Sequence, residues 1–195
     1  QRAAERELLF KEANHRLKNS LQIVSSMLHM QLPLVNDNVA AEALRNAEAR
    51  VMAIATVHER LYKDRHIGSI TFDRFLRDLC GNIARAYGSS DAIQVNAQPI
   101  VVDRDQAISV ALIVNELVTN VFRHAELPCR VRLWDEGNHS FRLRVSDTGK
   151  GPATGATSGL GTRMITALVT QLNGSLETKA DDEGYHCEIF VPHLR

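Results

Sequence analysis

The spacing of apolar residues divides the chain into two regimes. Residues 1–66 contain one proline, Pro33, and no glycine. Phe10, Ala13, Leu17, Leu21, Val24, Leu28 and Gln31 recur in steps of three and four, which predicts a long helix with a narrow, coiled-coil-like seam. Pro33 and the turn residues of "LVNDN" end it. Ala40, Ala43, Ala47, Val51, Ile54, His58 and Leu61 repeat the spacing and predict a second helix. Two such helices on a short loop make a helical hairpin. Each has one narrow apolar stripe, so a lone hairpin buries little, and a partner hairpin from a second chain is expected.

From Ser69 the pattern becomes mixed. "SIT" reads as a short strand, and "FDRFLRDLCGNIARAYG" as an amphipathic helix stopped by Gly88. "AIQVNA" and "PIVVD" read as strands, and "RDQAISVALIVNELVTNVFRHA" as a long helix. "CRVRLWDEG" and "SFRLRVSD" alternate apolar and polar residues and predict a hairpin. After a glycine-rich loop come the helix "GLGTRMITALVTQLN" and the strands "GSLETKA" and "YHCEIFVP". The fold class expected is α+β: an N-terminal hairpin domain, 1–66, then an α/β sandwich, 67–195, with helices on one face of a mixed sheet.

The 195 residues include 23 basic and 23 acidic side chains, for a formal net charge of +0. Such a balance gives no global field toward nucleic acid or an anionic membrane. Cys80, Cys129 and Cys187 are far apart and form no CxxC pattern, which argues against a disulfide framework or zinc site and suits a reducing cytoplasm. No apolar run approaches the ~18 residues of a membrane span, and no signal peptide is visible. Gln1 already lies inside a helical pattern, so a fragment lacking its upstream part is expected.

Candidate chemistry gathers in three places. On the helix at 104–124, Glu116, Asn120, Arg123 and His124 share one face. Glu and Asn offer oxygen ligands to a hard cation such as Mg²⁺, directly or through water, and Arg123 offers a phosphate contact. In "VSDTGKGP", Asp147 ends a strand, with Gly149 and Gly151 at DxGxG spacing. A carboxylate there can accept a hydrogen bond from an exocyclic amine such as that of adenine, and glycines allow positive φ and close backbone approach to a ligand. In "SGLGTRM", Gly159, Leu160 and Gly161 open a helix whose free N–H groups and dipole favour phosphates. Between them, "PATGATS" is small and flexible enough for a short lid.

In this order, ExxxN, DxGxG and helix-opening GxG resemble the nucleotide-binding fold of gyrase B, Hsp90, MutL and sensor histidine kinases. "NELVTNVFRHA", "DTGKGP" and "GLGTRMITALVTQLNGSLE" look like the N, G1 and G2 boxes of histidine kinases. "HRLKNSLQIVSSMLHMQ" resembles the phosphoacceptor box of the HRxKN class, the second HisKA-type class, related to the HWE kinases. "RVMAIATVHERLY" resembles its second helix. Trp134-Asp135-Glu136 spells WxE, but on the strand before DxGxG. The HWE pattern places its Trp at that box, so Trp134 reads as a packing residue. Kinases often carry Gly-Thr in the last strand, whereas this chain has Gly184-Tyr185, which removes a threonine contact to nucleotide.

The resemblance implies ATP and Mg²⁺ as cofactors and His15 as phosphoacceptor. Successive helix positions turn by ~100°, so His15, two residues from Ala13 and from Leu17, points away from the predicted seam. His29, His58 and His66 lack such a context. Many histidine kinases place an acid directly after the phosphoacceptor, where this chain has Arg16. Glu12, one turn before His15, is then the expected acceptor of its Nδ1 proton, with an ordinary surface pair to Arg16 as the alternative. Arg16, Lys18 and Asn19 are placed to steady phosphoryl oxygens or meet a partner. The function implied is autophosphorylation of His15 and transfer to an aspartate of a response-regulator receiver domain, by a homodimer, though members of this class can also be monomeric. The alternatives are an ATP-independent phosphotransfer protein, a related-fold serine kinase, and a non-enzymatic dimerisation module.

Overall fold

A computed structural model describes residues 2–63, 69–89, 91–151 and 159–192, at some helix positions by backbone alone. The chain divides into two compact units, Gln1–His66 and Ile67–Arg195. Each is described by itself.

In the first unit, helix α1 (Arg2–Gln31) leads through a single 3-10 turn at Leu32–Leu34 into α2 (Asn38–Lys63). Pro33 lies at the start of that turn, where its missing N–H is no loss. Asp37 then starts α2: its Oδ1 accepts from Ala40 N at 2.7 Å and its carbonyl from Ala41 N at 2.9 Å.

The helices pack through a stripe that shares Leu21, Leu28 and Val51 with the predicted seams but is shifted to one side of them. Ser25 is 7% exposed, and Leu21, Leu28 and Leu32 are half-buried. Facing them on α2, Ala41 and Ala55 are buried, and Leu44, Glu48 and Val51 are half-buried. His29 Nδ1 meets Glu48 Oε1 across the pair at 3.2 Å. Leu17, Val24, Gln31, Ala40 and Ala43 of the predicted seam stay exposed, as do Ile23, Met27 and Met30. The apolar arc of α1 is wider than one seam: one edge meets α2 and the other remains uncovered. His58 and Leu61 have side chains outside the described residues.

In the second unit, β1 (Ser69–Thr71) pairs antiparallel with β3 (Val101–Asp103). The main sheet has the order β2-β4-β5-β7-β6, from β2 (Ile93–Ala97), β4 (Cys129–Gly137), β5 (Ser140–Asp147), β6 (Ser175–Asp181) and β7 (Gly184–Pro192). Only β2–β4 is parallel among these pairs, so the sheet is mixed as expected. Helices α3 (Phe72–Ala86), α4 (Arg104–His124) and α5 (Leu160–Gln171) supply the second layer.

Strand alternation makes the sheet two-faced. Val131, Leu133, Leu143, Val145, Cys187 and Ile189 are buried beneath the helices. On the other face, Arg132 stands opposite Arg144, and Arg144 opposite Glu188. Phe72, Leu76, Ala107, Val110, Val114 and Val118 complete the core from α3 and α4. Asp103 caps α4, accepting from Asp105 N at 2.9 Å. Arg77 of α3 donates to the carbonyls of Val95 and Ala97 at 2.8 and 3.0 Å, occupying acceptors of the edge strand β2. Among the described residues, no helix is long and apolar enough to cross a membrane.

Candidate nucleotide-binding site

Helix α4 carries its polar row from the interior outward. Glu116 is 2% exposed, Asn120 is half-buried, and Arg123 and His124 are exposed. The helix that carries this row packs against both β5, the strand that ends in Asp147, and α5, the helix that begins after Gly159. A buried carboxylate costs free energy unless it is engaged, and Glu116 does have an interaction partner.

Asp147 ends β5 and is 3% exposed. Its Oδ1 accepts from Gly149 N at 2.7 Å, forming a tight turn that fixes the carboxylate. The next residue ties this turn to the segment after α4: Thr148 N donates to Glu126 O at 3.3 Å, and Thr148 Oγ1 to Leu127 O at 3.3 Å. The end of α4 and the DxGxG turn are therefore stitched together.

The glycines are also required by contacts within the protein. Of Gly149 and Gly151, only Gly151 has positive φ, +74°. A Cβ on Gly151 would overlap the ring of Tyr185, and one on Gly149 would press on Asp147 Oδ1 at 2.9 Å. Both are needed for contacts within the protein. Gly184 is similar, with φ +127° and no room for a Cβ against the Asp147 carbonyl. Tyr185 pairs with Asp147 in the β5–β7 register. The sequence pattern marked Tyr185 only as a departure from Gly-Thr. Its packing role was unreadable without the strand register.

Gly159 is the N-cap of α5, without a side-chain cap and with open space where a Cβ would stand. Gly161 is buried in the first turn. The side chain of Leu160 and the whole segment 152–158, where a lid was expected, lie outside the described residues. An uncapped N-terminus leaves N–H groups for solvent or an anion.

In the hairpin unit, the side chain of His15 lies outside the described residues, although its backbone is helical. Arg16 Nη2 donates to Glu12 Oε1 at 2.6 Å, the surface pair weighed as the alternative. Glu12, Arg16, Asn19, Gln22 and Ser26 are all exposed.

Trp134 is half-buried on the open sheet face, its indole N–H donating to Glu136 Oε2 at 3.1 Å. The Arg132 and Arg144 guanidiniums lie over its ring at 5.0 and 5.6 Å. It packs against arginines, away from the Asp147 turn.

Comparison with known families decides the relationship. A family model described as histidine kinase matches residues 12–87, and one described as histidine kinase-like ATPase domain matches residues 84–186, more than half of the chain. The chain belongs to the histidine kinase family. The first match runs beyond the hairpin unit and takes in β1 and α3. "Sensor histidine kinase PdtaS" of Mycolicibacterium smegmatis is 28% identical over 178 residues, covering 85% of this chain and 36% of that protein. "Blue-light-activated histidine kinase" of Brucella anthropi is 25% identical over 189 residues, covering 91% of this chain and 36% of that protein. The chain thus spans little more than a third of these relatives. The solved structure of the Erythrobacter litoralis EL346 blue-light activated histidine kinase aligns with a TM-score of 0.67 at 24% identity. That alignment covers 96% of this chain and 63% of the other, and supports the shared fold.

Proposed function

We propose that this kinase core uses ATP to phosphorylate His15 and passes the phosphoryl group to an aspartate on a response-regulator receiver domain. In this reading, residues 67–195 bind ATP, and residues 1–66 provide the phosphoacceptor and dimerise. The observation that carries it is Asp147, a buried carboxylate fixed at a strand end by its own turn beside α4. Adenine donates its exocyclic N–H to Asp147. The N-terminus of α5 at Gly159, Leu160 and Gly161 accepts phosphate, and Arg123 and His124 add polar contacts from α4.

The donors present fit Mg²⁺. Among the described residues, no cluster of three His, Cys, Asp or Glu is placed to hold a metal ion by itself. Glu116 and Asn120, one helical turn apart, offer carboxylate and amide oxygens, a partial shell that suits a cation completed by phosphates and water. Asn120 would hold the ion directly and Glu116 would orient its water. The ion's contribution is to offset phosphate charge.

Transfer requires the γ-phosphorus to lie in line with Nε2 of His15. The N–P bond forms as the bond to the β,γ-bridging oxygen breaks, and ADP leaves. Glu12 accepts the Nδ1 proton and sharpens Nε2 as nucleophile. The uncovered edge of α1 supports a homodimeric four-helix bundle, and the three unpaired cysteines support a reducing, cytoplasmic location.

Radiolabelled ATP tests this directly. Wild type should acquire an acid-labile label that His15→Ala lacks, and a receiver domain should discharge it. An acid-stable label, or equal labelling of His15→Ala, would reject the assignment.

A further inference from the structure

The open face of the main sheet carries a charge arrangement that the nucleotide site does not use. Arg132 of β4 stands directly opposite Arg144 of β5, and Arg130 opposite Ser146. Like charges directly opposed destabilise an antiparallel pair. Arg144 is offset by Glu188, whose Oε2 lies 2.7 Å from Arg144 Nε. Among the described residues, Arg132 has its contact with the Trp134 ring, and neither Arg130 nor Arg132 has an ion pair.

These three arginines line a groove of about 350 Å³ with Ser146, His186 and Glu183, while Gln94 and Asn96 contribute its β2 side. His186 Nε2 is 2.8 Å from Asp181 Oδ1, and its buried Nδ1 has no hydrogen-bond partner. Two exposed guanidiniums without carboxylates, a hydroxyl and two amides match an anion with several oxygens. The volume lies at the lower end of small-molecule sites. Ser146 and Asp147 are neighbours in β5 but face opposite sides of the sheet, so the groove is separate from the nucleotide site.

We propose that this groove binds a small phosphate-bearing molecule. Arg130 and Arg132 take the phosphate oxygens through forked N–H donors. Gln94 and Asn96, opposite Arg130 and Arg132 in the β2–β4 register, add amide donors on that side, and Glu183, the sole carboxylate among the described lining residues, faces the remainder, where hydroxyl groups fit.

The test uses the full chain, saturated with a non-hydrolysable ATP analogue so that the nucleotide site cannot take the probe. Inorganic phosphate and ribose 5-phosphate are titrated by calorimetry, with fluorescence of Trp134, the only tryptophan, as second readout. Saturable binding is expected, weakened by about tenfold or more in Arg130→Gln/Arg132→Gln, the loss of charge-assisted hydrogen bonds. Both arginines are exposed, so the variant should keep its melting temperature and nucleotide affinity. Equal affinity for the probes assigns the site to free phosphate, and tighter ribose 5-phosphate assigns it to the ester. No saturable binding of either probe, binding unchanged in the variant, or binding abolished by the ATP analogue overturns the proposal.

Discussion

The backbone of Gly151 lies against the ring of Tyr185, so closely that even a methyl group on Gly151 would overlap it. Two separate costs therefore attach to Gly151→Ala: the clash, and a side chain at φ +74°. Destabilisation of about 1–3 kcal/mol is expected. Adding Tyr185→Ala should recover the clash portion but leave the φ strain. Denaturant unfolding of the four species in a double-mutant cycle measures the coupling. Strict additivity would mean that the contact has no energetic weight.

Asp147 has two tasks, and conservative replacement separates them. Asp147→Asn keeps an oxygen for Gly149 N, whereas Asp147→Ala removes it. If Asp147 accepts from adenine, Asp147→Ala should cost roughly 1.5–3 kcal/mol of nucleotide binding, about 10- to 150-fold in Kd. It should also lower the melting temperature, because the turn N–H loses its partner. Asp147→Asn should lose nucleotide affinity with a smaller stability change. Unchanged affinity in both variants would remove adenine from this residue.

Glu12 and Arg16 pose a choice between a surface ion pair and a proton acceptor. The pair is exposed at both ends, so by itself it stabilises the helix by only about 0.3–0.5 kcal/mol. Glu12→Gln removes the basic oxygen, while Arg16→Gln breaks the pair and leaves the carboxylate. A base acting through Nδ1 of His15 predicts slower autophosphorylation, by about 10²-fold or more, in Glu12→Gln alone. Comparable rates for both variants would return Glu12 to a purely surface role.

The nucleotide-binding unit was legible in the sequence because each element combines a period with a stop signal. Val131 and Leu133 alternate with arginines, Asp103 precedes α4, and Gly88 follows α3. Asp147 at a strand end was legible for the same reason. The reasons for the glycines were not: Gly151 and Gly184 answer to Tyr185 and the Asp147 carbonyl, which only the β5–β7 register brings near. In the hairpin, a broad apolar arc is consistent with two neighbouring stripes. The predicted spacing shares Leu21, Leu28 and Val51 with the contact, but its Leu17 and Val24 stay exposed and the closest packing falls at Ser25 and Ala41. Small residues marked that contact, since Ser and Ala let helices approach, but an apolar periodicity gives them little weight.

The uncovered stripe makes the proposed homodimer testable. Leu17, Val24 and Met27 recur along α1 in steps of seven and three and are exposed, as is Leu34 in the following turn. Met27, 56% exposed, has no packing role within the hairpin that a charge would harm. Val24→Glu/Met27→Glu should therefore shift the protein from dimer to monomer in sedimentation while helicity is retained. Ser25→Leu, aimed at the contact with α2, should instead destabilise the hairpin by overpacking, by about 1–3 kcal/mol. A wild-type protein that sediments as a monomer at all concentrations would place the stripe outside any self-association.

The three thiols give the alkaline limb of stability. Burial pushes Cys80, Cys129 and Cys187 up from 9.0 to about 12, with Cys129 adding to the shift of Cys80, and Asp147 to that of Cys129. Below pH 9 the thiols are protonated in both folded and unfolded chains, and stability does not depend on them. Between pH 9 and about 12 the unfolded chain releases protons that the folded chain keeps. Stability therefore falls as the pH rises, by at most about 1.4 kcal/mol per pH unit for each thiol. Tyr185, also raised by burial, acts in the same direction. Urea midpoints at a series of pH values should decline above pH 9, and Cys187→Ala should shallow the slope without moving its onset. The same protonation makes the thiols unreactive in the folded protein. A thiol reagent at pH 8 should label all three rapidly in denaturant and slowly without it. Rapid native labelling of any one would show that its surroundings open readily, and would undo the predicted slope for that residue.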